Sequence, residues 1–138
     1  MRNKVKMPKR AAATPRPTDA ELEILNVLWQ RGASTVRDVH QEIARSRPAM
    51  GYTTVLKLMQ IMAEKKLVKR DESQRAHVYE ARLAQEQTQR QLIGDLLERA
   101  FDGSATKLVM QALSAKKTSA EELSTIREML DEFERGES

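Results

Sequence analysis

The spacing of apolar residues changes abruptly at Lys66, and this change constrains the fold more than any other feature of the chain. Over residues 52–65, apolar side chains recur at the spacing of one helix face, which predicts a core-facing helix. Beyond Lys66, short apolar segments at 67–68 and 77–79 flank the polar sequence DESQR, which predicts two strands joined by a turn. The apolar residues of the predicted helix are Val55, Leu58, Met59 and Met62.

Two further helices are predicted before this segment. The first begins at Thr18 or Asp19, since either residue can cap a helix, and it ends at Gly32. The second begins after Ser34 or Thr35, and Pro48 separates it from the third helix. Three helices followed by a hairpin are typical of a winged helix-turn-helix, so the predicted fold is mainly α-helical with a small β-hairpin over residues 18–82. The apolar residues of the first two helices are Leu22, Leu25, Val27, Leu28, Trp29, Val36, Val39 and Ile43.

Residues 83–138 are predicted to form a separate helical domain. A long helix that includes Leu83 is broken at Gly103, a short helix follows, and SAEE at 119–122 is a capping box that starts the last helix. Three short helices enclose little core, so their apolar stripes predict a homodimer; packing against the winged helix is the alternative. The predicted dimerisation residues are Leu92, Leu96, Leu97, Phe101, Leu108, Val109, Leu113, Leu123, Ile126 and Leu130.

The charge of the chain is distributed unevenly. Residues 1–17 contain six Lys and Arg residues, three prolines and no acidic residue, whereas residues 84–138 contain seven basic and eleven acidic residues. The basic N-terminal part of the chain indicates a polyanionic partner. We interpret residues 1–17 as a disordered tail. The alternative is a basic arm that contacts DNA phosphates.

Several classes of function are disfavoured by what the sequence lacks. The chain has no cysteine, which excludes disulfides, thiolate metal sites and cysteine nucleophiles. His40 and His77 are the only histidines and lie on different elements, so we predict no metal site and no cofactor. Without a Gly-rich phosphate loop or a nucleophile elbow, we predict that the protein is not an enzyme. No apolar run reaches the roughly 20 residues needed to span a bilayer, which predicts a soluble cytoplasmic protein with no membrane insertion.

The polar face of the third helix indicates DNA binding. In a helix-turn-helix, the N-terminal part of the second helix of the motif enters the major groove, where side chains of medium length reach base edges. Basic residues near the hairpin would contact the backbone; Arg75 at its tip is favoured, since Lys69 and Arg70 can pair with Asp71 and Glu72. An ordinary solvated helix face is the alternative. The predicted DNA-binding residues are Tyr52, Thr53, Thr54, Lys57, Gln60 and Arg75.

Four segments in order resemble the BlaI/MecI penicillinase-repressor family, which also includes CopY-type copper repressors. They are TDAELEILNVLW, GYTTVLKLMQIMAEKKLVKR with RAHVYEA, FDGSATKLVMQAL and SAEELSTIREMLDE, and the resemblance covers about residues 18–135. The resemblance implies a winged-helix homodimer that represses genes by binding a palindromic operator with TACA/TGTA half-sites. It also implies that the third helix is the recognition helix, the hairpin is the wing and the C-terminal helices intertwine.

The chain departs from the family pattern at two places. Copper-responsive relatives end in paired cysteines, which are absent here, so copper sensing of that kind is excluded. Relatives that respond to β-lactams are cleaved at an Asn-Phe bond, and the equivalent residues here are Gln111 and Ala112. The resemblance therefore implies regulatory proteolysis there by a membrane sensor protease, with a different recognition sequence. Two other functions stay open: a winged-helix protein-interaction module and a nonspecific DNA-binding protein.

Overall fold

A computed structural model describes residues 16–136, which form six helices and three short strands. In chain order these are α1 (Asp19–Arg31), β1 (Ser34–Thr35), α2 (Val36–Ser46), α3 (Tyr52–Glu64), β2 (Val68–Asp71), β3 (Val78–Ala81), α4 (Gln85–Ala100), α5 (Ala105–Ala115) and α6 (Ala120–Glu134). This order confirms the predicted mainly helical fold with a hairpin. The predicted basic tail, residues 1–17, lies almost entirely outside the described residues.

Local signals set both ends of α1. The Thr18 side chain accepts a hydrogen bond from the backbone N–H of Glu21 at 3.2 Å, and the Glu21 side chain accepts one from the backbone N–H of Thr18 at 2.9 Å. This reciprocal pair satisfies two N–H groups that the helix leaves without partners. At the other end, Gly32 takes a φ of 90° and its N–H donates to the carbonyl of Leu28. Glycine reaches that conformation without steric cost, which ends the helix as predicted.

A second capping box begins α2, where Thr35 is the N-cap. The Thr35 hydroxyl accepts from the N–H of Asp38 at 3.1 Å, and the Asp38 carboxylate accepts from the N–H of Thr35 at 3.2 Å. The hydrogen bond from the Thr35 backbone lowers the pKa of the Asp38 carboxyl, and Arg31 and Arg37 also favour its charged form. The ionised carboxylate therefore stabilises the folded state.

This lowered pKa gives a testable pH dependence. A carboxyl whose pKa is depressed by folding contributes stability above its unfolded pKa of about 3.9, and that contribution is lost as the pH falls through the folded value. We expect Asp38→Asn to lower the free energy of unfolding by about 0.5 kcal/mol at pH 7. The difference from wild type should shrink in urea titrations below about pH 4. An equal difference at pH 7 and pH 3 would contradict this account.

The three strands form one antiparallel sheet in the order β1-β3-β2. Strand β1 was not predicted because it has two residues, and it forms only through pairing of Ser34 with Tyr79 and Thr35 with Val78. The predicted turn DESQR began one residue too early, since Asp71 is the last residue of β2 and pairs with Val78. The sheet therefore ties the hairpin to the start of α2.

The change in sequence pattern at Lys66 coincides with the end of α3. Lys65 caps the helix, and Lys66 takes a left-handed φ of 68°. The N–H of Leu67 then donates to the carbonyl of Met62 at 2.9 Å, which satisfies a carbonyl of the last turn. The chain turns at this point from helix into β2.

The core of this part of the chain is aliphatic, with Tyr79 as its one fully buried aromatic residue among those described. Helix α3 contributes the predicted Val55, Met59 and Met62, each without exposed surface. Leu58 lies at the edge of the core. The other buried apolar residues are Ile24, Leu25, Val27, Leu28, Val36, Val39, Ile43, Leu67 and Val68.

The chain divides into two compact units between Leu92 and Ile93, within α4. Leu83, predicted to lie on the long helix, instead precedes α4, and its carbonyl accepts a hydrogen bond from Trp29 Nε1 at 3.0 Å. Thr88, in the first turn of α4, is buried. The predicted domain boundary between residues 82 and 83 stays a prediction.

The second unit consists of helices joined by short turns. Gly103, with a φ of 76°, follows α4 and donates its N–H to the carbonyl of Leu97 at 2.8 Å. Ser104 caps α5, and Ser119 caps α6 by accepting from the N–H of Glu122 at 3.0 Å, which is the forward half of the predicted capping box. Across residues 16–136, every helix is too short or too polar to cross a membrane.

Candidate nucleic-acid interface

Helix α3 buries one side and exposes the other. Its apolar side lies in the core. Five of its residues are predicted to touch DNA, and all five lie at the surface, with Tyr52 47% exposed. Thr53 and Thr54 occupy the first turn, and Lys57 follows one turn later. These five surface residues are Tyr52, Thr53, Thr54, Lys57 and Gln60. The helix therefore presents hydroxyl, ammonium and amide groups on a rigid element that the core holds in place.

The first turn of α3 is held by a ring contact with α2. The rings of His40 and Tyr52 meet edge to face, with centroids 5.8 Å apart and planes at 87°. Such aromatic contacts stabilise a defined ring orientation. The second histidine, His77, is exposed in the hairpin turn. Within residues 16–136, no cluster of three or more His, Asp and Glu residues is suited to a metal ion.

The other end of α3 is held by an ion pair that the sequence did not reveal. Lys65 Nζ lies 2.8 Å from Glu21 Oε1 and 2.9 Å from Oε2, and only 3% of the Glu21 side chain is exposed. The Thr-x-x-Glu spacing at 18–21 signals the capping box, but the pairing with Lys65 depends on how α1 and α3 pack.

The basic residues around the hairpin divide into paired and exposed groups. Arg70 Nε lies 2.7 Å from Glu72 Oε2, as anticipated for this residue. A hydrogen bond with Tyr79, together with Glu72, raises the pKa of the Arg70 guanidinium. Asp71 instead accepts from the N–H of Ser73 at 2.9 Å, and this hydrogen bond lowers the pKa of its carboxyl. Arg75 is exposed in the turn between β2 and β3, at the position predicted for the tip of the wing.

A cleft of about 550 Å³ opens between the first turn of α2, the polar side of α3 and the hairpin. Its lining includes Arg37 of α2, Tyr52 and Gln60 of α3, and Arg75 and His77 of the hairpin turn. The lining contains no acidic residue. Sequence reasoning missed Arg37, because its place in this cleft depends on the packing of α2 against the hairpin.

In the second unit, apolar side chains remain at the surface of the single chain. Nine of the ten predicted dimerisation residues lie in this unit, and Leu92 is the last residue of the first unit. None of the ten is buried, and Leu130 is 58% exposed. Phe133, which was not in the predicted set, is 63% exposed. Further exposed apolar residues in this unit are Ile93, Leu96, Val109, Met110 and Met129. Gln111 and Ala112 are exposed within α5.

Comparison with known proteins agrees with this architecture. Residues 17–132 match the penicillinase repressor family. The chain is 30% identical over 119 residues to the transcriptional regulator BlaI of Mycobacterium tuberculosis strain CDC 1551 / Oshkosh, which covers 86% of this chain and 85% of that protein. The same values hold for the transcriptional regulator BlaI of strain ATCC 25618 / H37Rv. The match spans the winged helix and most of the helical second unit, and the chain therefore belongs to the penicillinase repressor family of transcriptional repressors.

Proposed function

We propose that the protein is a homodimeric repressor that binds a specific palindromic operator in double-stranded DNA. The observation that carries this proposal is the exposed polar side of α3, whose other side is fixed in the core by Val55, Met59 and Met62. A helix held in this way keeps its polar groups in one geometry, which base recognition requires. The family resemblance supports half-sites of the TACA/TGTA type.

Thr53, Thr54 and Lys57 read bases in this proposal. The first turn of a recognition helix lies deepest in the major groove, and both threonines are in that turn. A threonine methyl contacts a thymine methyl, and its hydroxyl bonds to a base edge. Lys57, one turn later, reaches a guanine or a phosphate. Arg75 of the wing contacts the backbone, which contributes affinity without sequence preference.

The exposed apolar side chains of the second unit support dimerisation. Contiguous apolar surface on a small unit is costly in water and marks an interaction surface. In a two-fold dimer, the same surface of both chains forms the interface. Exposed apolar residues such as Leu130 and Phe133 would then be covered by their counterparts in the partner. Two recognition helices in one dimer match two half-sites about one helical turn apart.

Release of the operator by proteolysis between Gln111 and Ala112 is a further part of the proposal. Both residues are exposed, and both lie inside α5, whose N-cap Ser104 fixes its start. A protease that acts on extended backbone requires α5 to unwind locally before it cuts. A membrane sensor protease is the partner that the family resemblance suggests, and this cleavage stays a prediction.

Titration of the purified protein into labelled DNA from its own upstream region tests the proposed function. A scrambled duplex of the same composition serves as competitor, and the titration is repeated at two salt concentrations. We expect a preference of about a thousandfold for the natural duplex, the lower range for specific binders. Equal and steeply salt-dependent binding to both duplexes would indicate a nonspecific DNA-binding protein. Absence of binding to every upstream duplex would favour a protein-interaction module.

Thr54→Ala tests the base-reading role of α3. We expect the variant to lose about tenfold of its preference for the operator while its affinity for scrambled DNA is unchanged, because a base contact is lost and phosphate contacts remain. The same competition titration measures both quantities. Asn26→Ala, an exposed polar residue of α1, is the control and should behave as wild type. An unchanged preference in Thr54→Ala would refute the assignment.

A further inference from the structure

We propose that Arg37 of α2 and Arg75 of the hairpin turn bind the same DNA backbone phosphate at the cleft beside α3. This inference rests on the proposed function and assigns to Arg37 a role that sequence reasoning did not anticipate. Arg37 belongs to the first turn of α2, and Arg75 to the hairpin turn. Both line a cleft that has no acidic lining residue, so an anion entering it meets two guanidinium groups without a competing carboxylate.

Both arginines are available for a ligand. The other arginines of α1, of α2 and of the α2 C-cap are engaged: Arg31 pairs with Asp38 and Glu42, Arg45 with Glu42, and Arg47 with Glu23. By contrast, within residues 16–136 neither Arg37 nor Arg75 forms an ion pair within 4.0 Å.

Asp38, the acid beside Arg37 in the chain, already accepts the N–H of Thr35. Asp38 and Arg37 attract each other, but they form no ion pair within 4.0 Å. The guanidinium N–H groups of Arg37 therefore have no carboxylate partner, and an arginine of this kind binds phosphate as a two-pronged donor.

The position of the cleft links phosphate binding to base reading. Tyr52 and Gln60, on the polar side of α3, line the same cleft as the two arginines. A phosphate held there lies next to the helix face that reads bases, as expected for a phosphate at the edge of the major groove. The volume of about 550 Å³ is in the range of pockets for small ligands, which suits one nucleotide unit of the backbone. Holding that phosphate with both arginines fixes the register of Thr53 and Thr54 on the bases.

The test combines two protein variants with single neutral phosphates in the DNA. Arg37→Gln and Arg75→Gln are titrated against the operator duplex and against duplexes that carry one methylphosphonate at successive positions. We expect each variant to lose roughly tenfold in affinity and about one unit of the log–log salt slope. One methylphosphonate position should weaken wild type most. The same position should weaken each variant less, since the remaining arginine still bonds that phosphate, and it should not weaken a double variant that lacks both arginines. Arg45→Gln removes the same charge from an exposed, acid-paired position of α2 and should behave as wild type.

The outcomes separate this inference from the proposed function. If wild type prefers the operator but Arg37→Gln binds like Arg45→Gln, the phosphate clamp is wrong and the repressor assignment stands. If the methylphosphonate position whose effect is reduced in Arg37→Gln differs from the position whose effect is reduced in Arg75→Gln, the two arginines do not share a phosphate, and the proposal is also wrong. If wild type shows no operator preference, the proposed function itself fails.

A further arm addresses free phosphate as the ligand. Thermal melting in inorganic phosphate and in chloride, at equal ionic strength, compares wild type with Arg37→Gln. Suppose that phosphate raises the melting temperature of wild type but not of Arg37→Gln, and that Arg37→Gln binds DNA as wild type does. The cleft would then be assigned to a free anion, and the proposal would be overturned. Equal melting of both proteins, with the DNA effects described, is the expected result. Both arginines are exposed, so both variants should fold.

Discussion

Leu130→Asp is expected to convert the protein to monomers and to lower its affinity for a palindromic operator by about a thousandfold, because linked binding of two half-sites is lost. The Leu130 side chain is 58% exposed in the single chain, on the last helix of the second unit. In a two-fold dimer, one substitution places two carboxylates in the interface. Burying each without a partner costs several kcal/mol, which is about the size of the whole dimer contribution.

Sedimentation equilibrium and operator titration measure this result together. Ser124→Asp adds a carboxylate to the same helix at an exposed polar position and should leave the dimer intact. The affinity of Leu130→Asp for a single half-site should equal that of wild type, since α3, the proposed recognition helix, is untouched. A wild type that sediments as a monomer, or a Leu130→Asp variant that remains dimeric, would remove Leu130 from the interface.

Lys65→Met is expected to lower the free energy of unfolding by about 3 kcal/mol, the lower end for breaking a buried pair, because Lys65 is itself partly exposed. The substitution leaves the Glu21 carboxylate 3% exposed and without the ammonium that bonds to both of its oxygens. Its remaining hydrogen bond is the one from the Thr18 N–H. A charge left in this state destabilises the fold far more than the intact pair stabilises it.

Urea unfolding of a double-mutant cycle checks this prediction. Adding Glu21→Gln to Lys65→Met should recover part of the lost stability, since the uncompensated charge is then removed. Lys57→Met, at an exposed position of α3, should change stability by less than about 0.5 kcal/mol. If Lys65→Met were no more destabilising than Lys57→Met, the ion pair would have no structural role.

The parts of the fold that were predictable from sequence depend on neighbours in the chain. Thr35 as a cap and Gly32 as a stop act through hydrogen bonds within four residues. The burial of Val55 and Met59 follows from helical periodicity alone. The pairing of Ser34 with Tyr79 was missed, because a two-residue strand has no periodicity and exists only through a partner distant in the chain.

The same distinction applies to the candidate site. The polar side of α3 was predictable, since it is whatever the apolar stripe leaves at the surface. The contact between Glu21 and Lys65 joins residues 44 positions apart, and sequence spacing does not encode it. The cleft that brings Arg37 and Arg75 together likewise requires the packed arrangement of α2 and the hairpin. What the sequence could not provide is therefore the set of groups that hold and flank α3.

Trp29 is the single tryptophan of the chain, and its indole N–H donates to the carbonyl of Leu83, just before α4. The emission of an indole depends on its hydrogen bonding and on its contact with water. Intrinsic fluorescence at this one position therefore reports on the segment where the winged helix continues into α4. A change in this hydrogen bond on binding of the proposed operator would alter that emission, in the native sequence and without a label.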